Sequence, residues 1–427
     1  MSAPSDRRRG AVAWALYDWA NSAFATTVMA GFFPLFFKQY WNSGVEATVS
    51  TFRLGVANSA AGVLVALVAP VLGAIADRGG GRKRSLGLFL ALGVVCTGAL
   101  YGVSQEGWVA AAVLYGAAVV GFSGANIFYD ALLVEVASED QFDWVSALGF
   151  SLGYLGGGVL FAFNVALTLW PAEFGLADAT AAVRVSFLSV AVWWALFSVP
   201  LFTRVPEQVR RGSAAGLVGQ GFRQLVATFH EVRRLKVTFT FLLAYWIYID
   251  GVDTIVRMAV DFGLSIGLDQ KSLITALLLV QFVGFPAALV FGRLGQRIGA
   301  KWGILLGLVV YLGVTVWGAF LDSAVEFYGL AVAIGLVQGG VQALSRSLFA
   351  RMVPASRSAE FFGFYNMMGK FAAVVGPLLM GWVGLLTGSS RASILAVAVL
   401  FLVGGGLLLT VDEEAGRRAA RALDGET

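Results

Sequence analysis

Asp18 stands inside the apolar run from Ala11 to Phe37, and Asn21, Ser22, Ala25 and Thr26 follow it at i+3, i+4, i+7 and i+8. On a helix these positions share one face. A carboxylate, an amide and two hydroxyls in one stripe can exchange a proton or hydrogen-bond a polar solute. At 1.5 Å per residue Asp18 lies about 10 Å into the run, away from its middle. Two readings fit: a polar stripe lining the inward half of a pathway, or a hydrogen-bond cluster tying helices together.

A second set lies in FLLAYWIYIDGVDTIVRMAVDFG (241–263). Asp253 and Arg257 are four apart and can pair along one face, which lowers the cost of holding both in hydrocarbon. Asp250 has no partner within its own helix, and burial raises a carboxyl pKa. That combination suits proton uptake and release; the alternative is an ion-pair network that locks a closed state. Lys370 needs a counter-charge, either Asp250, Asp253 or a substrate carboxylate. Gln338, Gln342 and Arg346 recur at i, i+4 and i+8, beside Gly339 and Gly340. The amides can bind a polar ligand or join helices. Asp18, Asn21, Ser22, Asp250, Asp253, Arg257, Gln338, Gln342 and Lys370 form the substrate and coupling set. Asp130 and Glu135, with Asp77, Arg78, Arg82 and Arg346, form an inner gate. Asp77 is also placed to cap a helix starting near Ser358.

The elements that must position these residues are membrane helices. The 427 residues are 58% hydrophobic and 13% charged, outside the range of soluble domains. About twelve runs meet the length of a spanning helix: 11–37, 54–76, 85–104, 108–136, 144–169, 183–202, 238–264, 272–294, 301–320, 325–349, 359–386 and 391–411. The alternating pattern of a β-barrel is absent. Lys and Arg crowd alternate loops, and the other loops hold only Lys38, Arg53, Arg184, Lys271 and Arg391. The positive-inside rule then places both termini in the cytoplasm. The net charge of +4 therefore reflects topology, not nucleic-acid binding. The first run is too long for a cleavable signal peptide. The lone Cys96 and lone His230 exclude a disulfide framework and a thiolate metal site. No Walker-type phosphate loop, metal cluster or hydrolase motif is present, so an enzyme, a cofactor and direct ATP-driven pumping are not expected. Gly149, Gly153, Gly156, Gly157 and Gly158 lie inside a span and read as a packing surface.

Four segments are expected: six N-terminal spans (1–203), a cytoplasmic linker (204–236), six C-terminal spans (237–411) and a cytoplasmic tail (412–427). In the linker, Phe222, Leu225, Val226, Phe229 and Val232 predict a helix on the membrane surface. The loops GAIADRGGGRKR (73–84) and GRLGQRIGAK (292–301) resemble each other, as do VEVAS (134–138) and ARMVP (350–354). Their offsets, 219 and 216, point to duplication.

The first loop, with Gly73, Asp77, Arg78, Gly80, Arg82 and Lys83, resembles the signature loop of the major facilitator superfamily. It carries an extra glycine, and the second copy has Gln296 where an acid would fall. YDWANSAFATT (17–27), FYDALLVEVA (128–137), GYLGGG (153–158), DGVDTI (250–255) and SRSLFARMVP…EFFGFYNMMGKFAAVVGP (345–377) resemble the vacuole-effluxer family. These motifs would place the chain among bacterial relatives of a yeast vacuolar amino-acid exporter involved in autophagy. Asp130 and Val134 depart from the Asn and Pro expected there. The resemblance implies an all-α membrane protein of twelve helices in two six-helix bundles, with spans 1, 4, 7 and 10 lining a cavity. The ionisable residues concentrate in those four spans and in span 11. The expectation is a monomeric, proton-coupled secondary transporter of a small polar solute such as an amino acid, set in the lipid bilayer of the bacterial inner membrane. Two alternatives stay open: proton-coupled efflux of apolar compounds, and a membrane receptor or scaffold.

Overall fold

A backbone crossing hydrocarbon must satisfy its own N–H and C=O groups, and a helix does so within one segment. The computed structural model describes residues 4–46, 49–50, 53–57, 60–65, 73, 76–77, 81–206, 230, 232–265, 269–321 and 323–425. The side chains of 4–7, 257–262, 264–265, 270, 370–374, 377 and 390 lie outside that description. No strand occurs among the described residues.

Helix α1 (Pro4–Ala23) continues through π-helical Phe24–Phe32, the turn Phe33–Phe36 and π-helical Phe37–Trp41. α2 is described as helical at 53–57, 60–65, 73 and 76–77. There follow α3 (Arg82–Ala99), α4 (Trp108–Ala131), α5 (Phe142–Leu169) and α6 (Ala179–Arg204). The second series is α7 (Lys236–Ser265), α8 (Gln270–Ile298), α9 (Ala300–Ala319), α10 (Ala324–Arg351), α11 (Ser358–Thr387) and α12 (Ser390–Leu409). Among the described residues, ten helices are long and apolar enough to cross a membrane; Arg53–Val65 in α2 and Leu378–Thr387 in α11 are shorter apolar stretches. The expected surface helix of the linker lies largely outside the described residues. The expected cytoplasmic tail contains a helix, α13 (Glu413–Gly425).

Packing repeats with a step of six helices. α1 packs on α5 and α6 as α7 packs on α11 and α12, and α3 packs on α4 and α6 as α9 packs on α10 and α12. The duplicated loops do the same work in both copies. Lys83 Nζ donates to Phe202 O and Val205 O at the end of α6, at 2.7 and 2.8 Å. Lys301 Nζ donates to Leu409 O and Val411 O beyond α12, at the same two distances. Each ammonium sits on helix-terminal carbonyls, where the dipole favours a cation.

The two series meet through α5 against α8 and α10, and α4 against α11. Small residues on α5 allow close approach to α1: a Cβ on Gly156 would meet Trp19 O at 2.5 Å, and one on Gly157 would meet Thr26 Oγ1 at 2.7 Å. The glycine run is therefore packing surface, as its spacing predicts.

Candidate translocation site

The described parts of the Lys- and Arg-rich loops meet one another: Lys83 reaches the end of α6, Gly10 of α1 lies beside Pro206, Arg82 reaches Ala355 and Arg417 reaches Glu139, and their side is called the basic face below. About one to two turns inside it, Arg346 of α10 occupies the junction of the two helix series. Its side chain is 3% exposed. Nη1 donates to Asp130 Oδ1 of α4 at 3.0 Å, and Nη2 lies 3.4 Å from Asp18 Oδ2 of α1. Nε and Nη2 donate to Ser146 Oγ and Ser146 O of α5, both at 2.9 Å. The guanidinium also lies over the rings of Trp14, Tyr129 and Phe150, at 4.7, 5.4 and 4.4 Å. A buried Arg needs this many partners to offset its desolvation.

The carboxylates are held in turn. Tyr129 Oη donates to Asp18 Oδ2 at 2.8 Å, and Asn366 Nδ2 of α11 donates to Asp130 Oδ2 at 3.0 Å. Trp14 Nε1 donates to Tyr129 O at 2.8 Å and fixes the tyrosine's backbone. Gly149 of α5 makes room, since a Cβ there would lie 2.6 Å from Asp18 Oδ2, 2.9 Å from Tyr129 Oη and 3.0 Å from Arg346 Nη2. Two carboxylates thus share one guanidinium.

Nearer the surface, Arg82 bridges Asp77 at 2.6 Å and Glu135 at 2.9 Å. Arg82 Nη2 also reaches Ala355 O at 3.3 Å. Asp77 accepts from Glu360 N at 2.8 Å and Ala359 N at 3.3 Å, capping α11 where the sequence expected a cap. A Cβ on Gly73 would sit 2.1 Å from Ala359 O, so only glycine fits this approach. In the second copy Gln296 donates instead to Asp140 O at 3.4 Å. Asp143 supplies the acid there: it pairs with Arg351 Nη2 at 2.7 Å and accepts from Ser347 Oγ. Asp143 and Arg351 were not singled out from sequence, because Asp143 falls one residue outside its apolar run.

On the side of Arg346 away from the basic face lies a cavity of about 210 Å³. Ala25, Thr26 and Ala30 of α1, Val256 of α7, Leu277, Val280 and Gln281 of α8, and Phe327, Ile334 and Gln338 of α10 line it. Asp18 to Thr26 and Arg346 to Gln338 are each eight residues, about 12 Å along a helix. The α1 residues belong to its π-helical stretch, a distortion common at functional sites. Gln338 Oε1 is buried without a hydrogen-bond partner among the described residues.

The predicted residues therefore separate. Asp18, Asp130 and Arg346 form one ion-pair cluster toward the basic face, and Asp77, Arg82 and Glu135 form a second. Asn21 donates to Asn126 Oδ1 at 2.7 Å, and Ser22 faces Gly153. Gln338 reaches the cavity, and Gln342 is half-buried one turn nearer Arg346. Asp250 is 1% exposed, and both its oxygens accept Gly376 N–H at 3.0 Å, beside Pro377 of α11. It is turned toward α11 and is not among the cavity-lining residues. Asp253 is half-buried. Arg78 and the side chains of Arg257 and Lys370 lie outside the described residues, so the expected Asp253–Arg257 and Lys370 pairings do too.

The family model described as "Vacuole effluxer Atg22 like" matches residues 43–421. A Bacillus subtilis protein, "Uncharacterized MFS-type transporter YxiO", is 39% identical over 403 residues, 94% of each chain. "Autophagy-related protein 22" of Yarrowia lipolytica is 27% identical over 315 residues, 66% of this chain and 52% of that one. This chain thus spans about half the length of the fungal relative. Among solved structures, the human organic anion transporter MFSD10 aligns with a TM-score of 0.75 at 16% identity, covering 95% of this chain and 100% of that one. The proton:xylose symporter XylE aligns at 0.69 and 14%, covering 98% of each. These two likenesses show the major facilitator fold.

Proposed function

This chain belongs to the Atg22-like vacuole effluxer family of major facilitator transporters, and we propose that it carries a small neutral solute by alternating access coupled to protons. It is an integral membrane transporter and not an enzyme. The observation that carries the reading is the Asp18–Asp130–Arg346 cluster, which joins the two helix series on one side of a cavity.

The charge count supplies the coupling. With both carboxylates ionised the cluster holds one excess negative charge away from water, a costly state. A proton on either Asp leaves one acid for one base and relieves that excess, so protonation favours the closed arrangement. Opening to the basic face brings water to the carboxylates and releases the proton on that side. The proton uptake and release for which its sequence position suits Asp250 falls in this reading to Asp18 and Asp130, because Asp250 is engaged by the α11 backbone. The positive-inside pattern supports a cytoplasmic basic face in a bacterial plasma membrane, with the chain working as a monomer.

The cavity favours an amino acid with an apolar side chain. Gln338 Oε1 can accept from its ammonium, while Leu277, Val280 and Ile334 surround an aliphatic group. Efflux of apolar compounds is the second reading, favoured by the same lining. Uptake into proteoliposomes, with and without a pH gradient, separates the two. Saturable flux of neutral aliphatic amino acids that fails for matched hydrocarbons supports the first reading. Flux of uncharged apolar compounds alone refutes it.

A further inference from the structure

Helix α13 follows the last span and lies across the basic face. Its sequence, EEAGRRAARALDG, puts Ala415, Gly416, Ala419, Ala420 and Leu423 on one side and three arginines on the other. Asp412 caps it by accepting Ala415 N–H at 3.1 Å. The small side seats it on the second helix series: a Cβ on Gly416 would lie 2.8 Å from Met352 Cγ and 3.3 Å from Val237 Cγ1. Its far end is fixed there too, since Asp424 accepts Ala355 N–H at 2.8 Å and Ser356 N–H at 3.1 Å. Its near end places Glu413 3.8 Å from Arg351.

The arginines reach the other series. Arg417 Nη2 and Arg421 Nη2 lie 2.8 and 2.9 Å from Glu139 Oε2, in the loop between α4 and α5. Burial opposes the charge on Glu139, but the hydrogen bonds from Arg421 and Arg417 outweigh it and hold the carboxyl below the ordinary glutamate range. Arg351 Nε also donates to Glu139 O at 3.2 Å. One helix, anchored on the second series, therefore grips the first at a single carboxylate.

We infer that α13 is a latch: its Arg417–Glu139–Arg421 clasp holds the basic face closed, so that opening this face requires the helix to release Glu139. The inference uses the alternating-access reading but concerns the balance of states, not the solute. Exposed ion pairs are individually modest and are screened by salt. Each side of the clasp therefore shifts the closed-to-open ratio by about two- to five-fold.

The test is the distance between spin labels at the exposed positions Arg84 and Arg297, in full-length protein with Cys96 replaced by Ala. Glu139→Gln, and Arg417→Ala with Arg421→Ala, should each lower the closed-to-open ratio by that factor, and together no further. Glu139→Arg with Arg417→Glu and Arg421→Glu should restore it. With those three positions left native, raising salt should open the full chain more than a chain ending at Val411. Distances that ignore Glu139→Gln, a reversal that restores nothing, or equal salt response with and without α13 would overturn the latch. Loss of solute flux while these distance shifts persist would count against the transport reading alone.

Discussion

Gly149→Ala isolates the closure without touching a charge. The added Cβ would lie 2.6 Å from Asp18 Oδ2, 2.9 Å from Tyr129 Oη and 3.0 Å from Arg346 Nη2. None of these can retreat freely, since Tyr129 is 1% exposed and Arg346 is bound on four sides. Inserting a carbon into a packed site costs about 1–3 kcal/mol. When α5 parts from α1 and α10 that cost disappears, and alanine suits the helix at least as well as glycine. The open state should therefore gain roughly 5- to 150-fold over the closed state. The reporter is Ser347→Cys in a Cys96→Ala background, because Ser347 is fully buried against Asp143 of α5. Its rate of modification by a membrane-impermeant maleimide from the basic side should rise by that factor. Gly381→Ala, where a Cβ meets nothing within 4 Å, should leave the rate alone. An unchanged rate in folded, membrane-inserted Gly149→Ala protein would refute the proposed closure.

Gln338→Leu should raise KM about 10- to 100-fold with kcat little changed, the loss of one hydrogen bond to a charged group; an unchanged KM removes Gln338 from the solute site. Asp77→Ala should destabilise the protein by about 2 kcal/mol, read as a lowered Tm, because α11 loses its cap and Arg82 a partner. Asp250→Asn should keep proton-coupled flux, since an amide oxygen still accepts Gly376 N–H, and loss of coupling would return Asp250 to the mechanism. Glu139 titrates below its ordinary range when docked, so its contribution to the latch is complete above that range and fades only as pH falls through the docked value. Glu413, raised by burial despite Arg351, acts oppositely and weakens docking as pH rises through its own value. The spin-label distances should thus respond to acid through Glu139, and Glu139→Gln should abolish that part.

The fold was legible because its rules are local. Apolar run length, loop charge and the two Gly–Arg–Lys loops each report a membrane helix or its end without knowledge of neighbours. Asp77 was legible for the same reason, since a helix start near Ser358 asks for an acid. Partner choice was not legible. Asp18 has the spacing of a solute-facing stripe, yet it pairs with Arg346, 328 residues away. Asp250 has the depth of a coupling carboxylate, yet it spends both oxygens on Gly376. Tyr129, Asn366 and Asp143 complete the closure through contacts between distant helices, which no periodicity encodes. The latch helix had a visible pattern of small residues against arginines, but its length and polarity let it pass for a solvated tail.

Solute-driven proton movement, followed with a pH dye trapped in proteoliposomes, tests the two-carboxylate, one-guanidinium account most directly. Native protein should move protons with solute. Asp18→Asn and Asp130→Asn each leave one acid for Arg346, so each should retain solute counterflow while losing proton movement. Proton movement that persists at native stoichiometry in both variants would contradict the account.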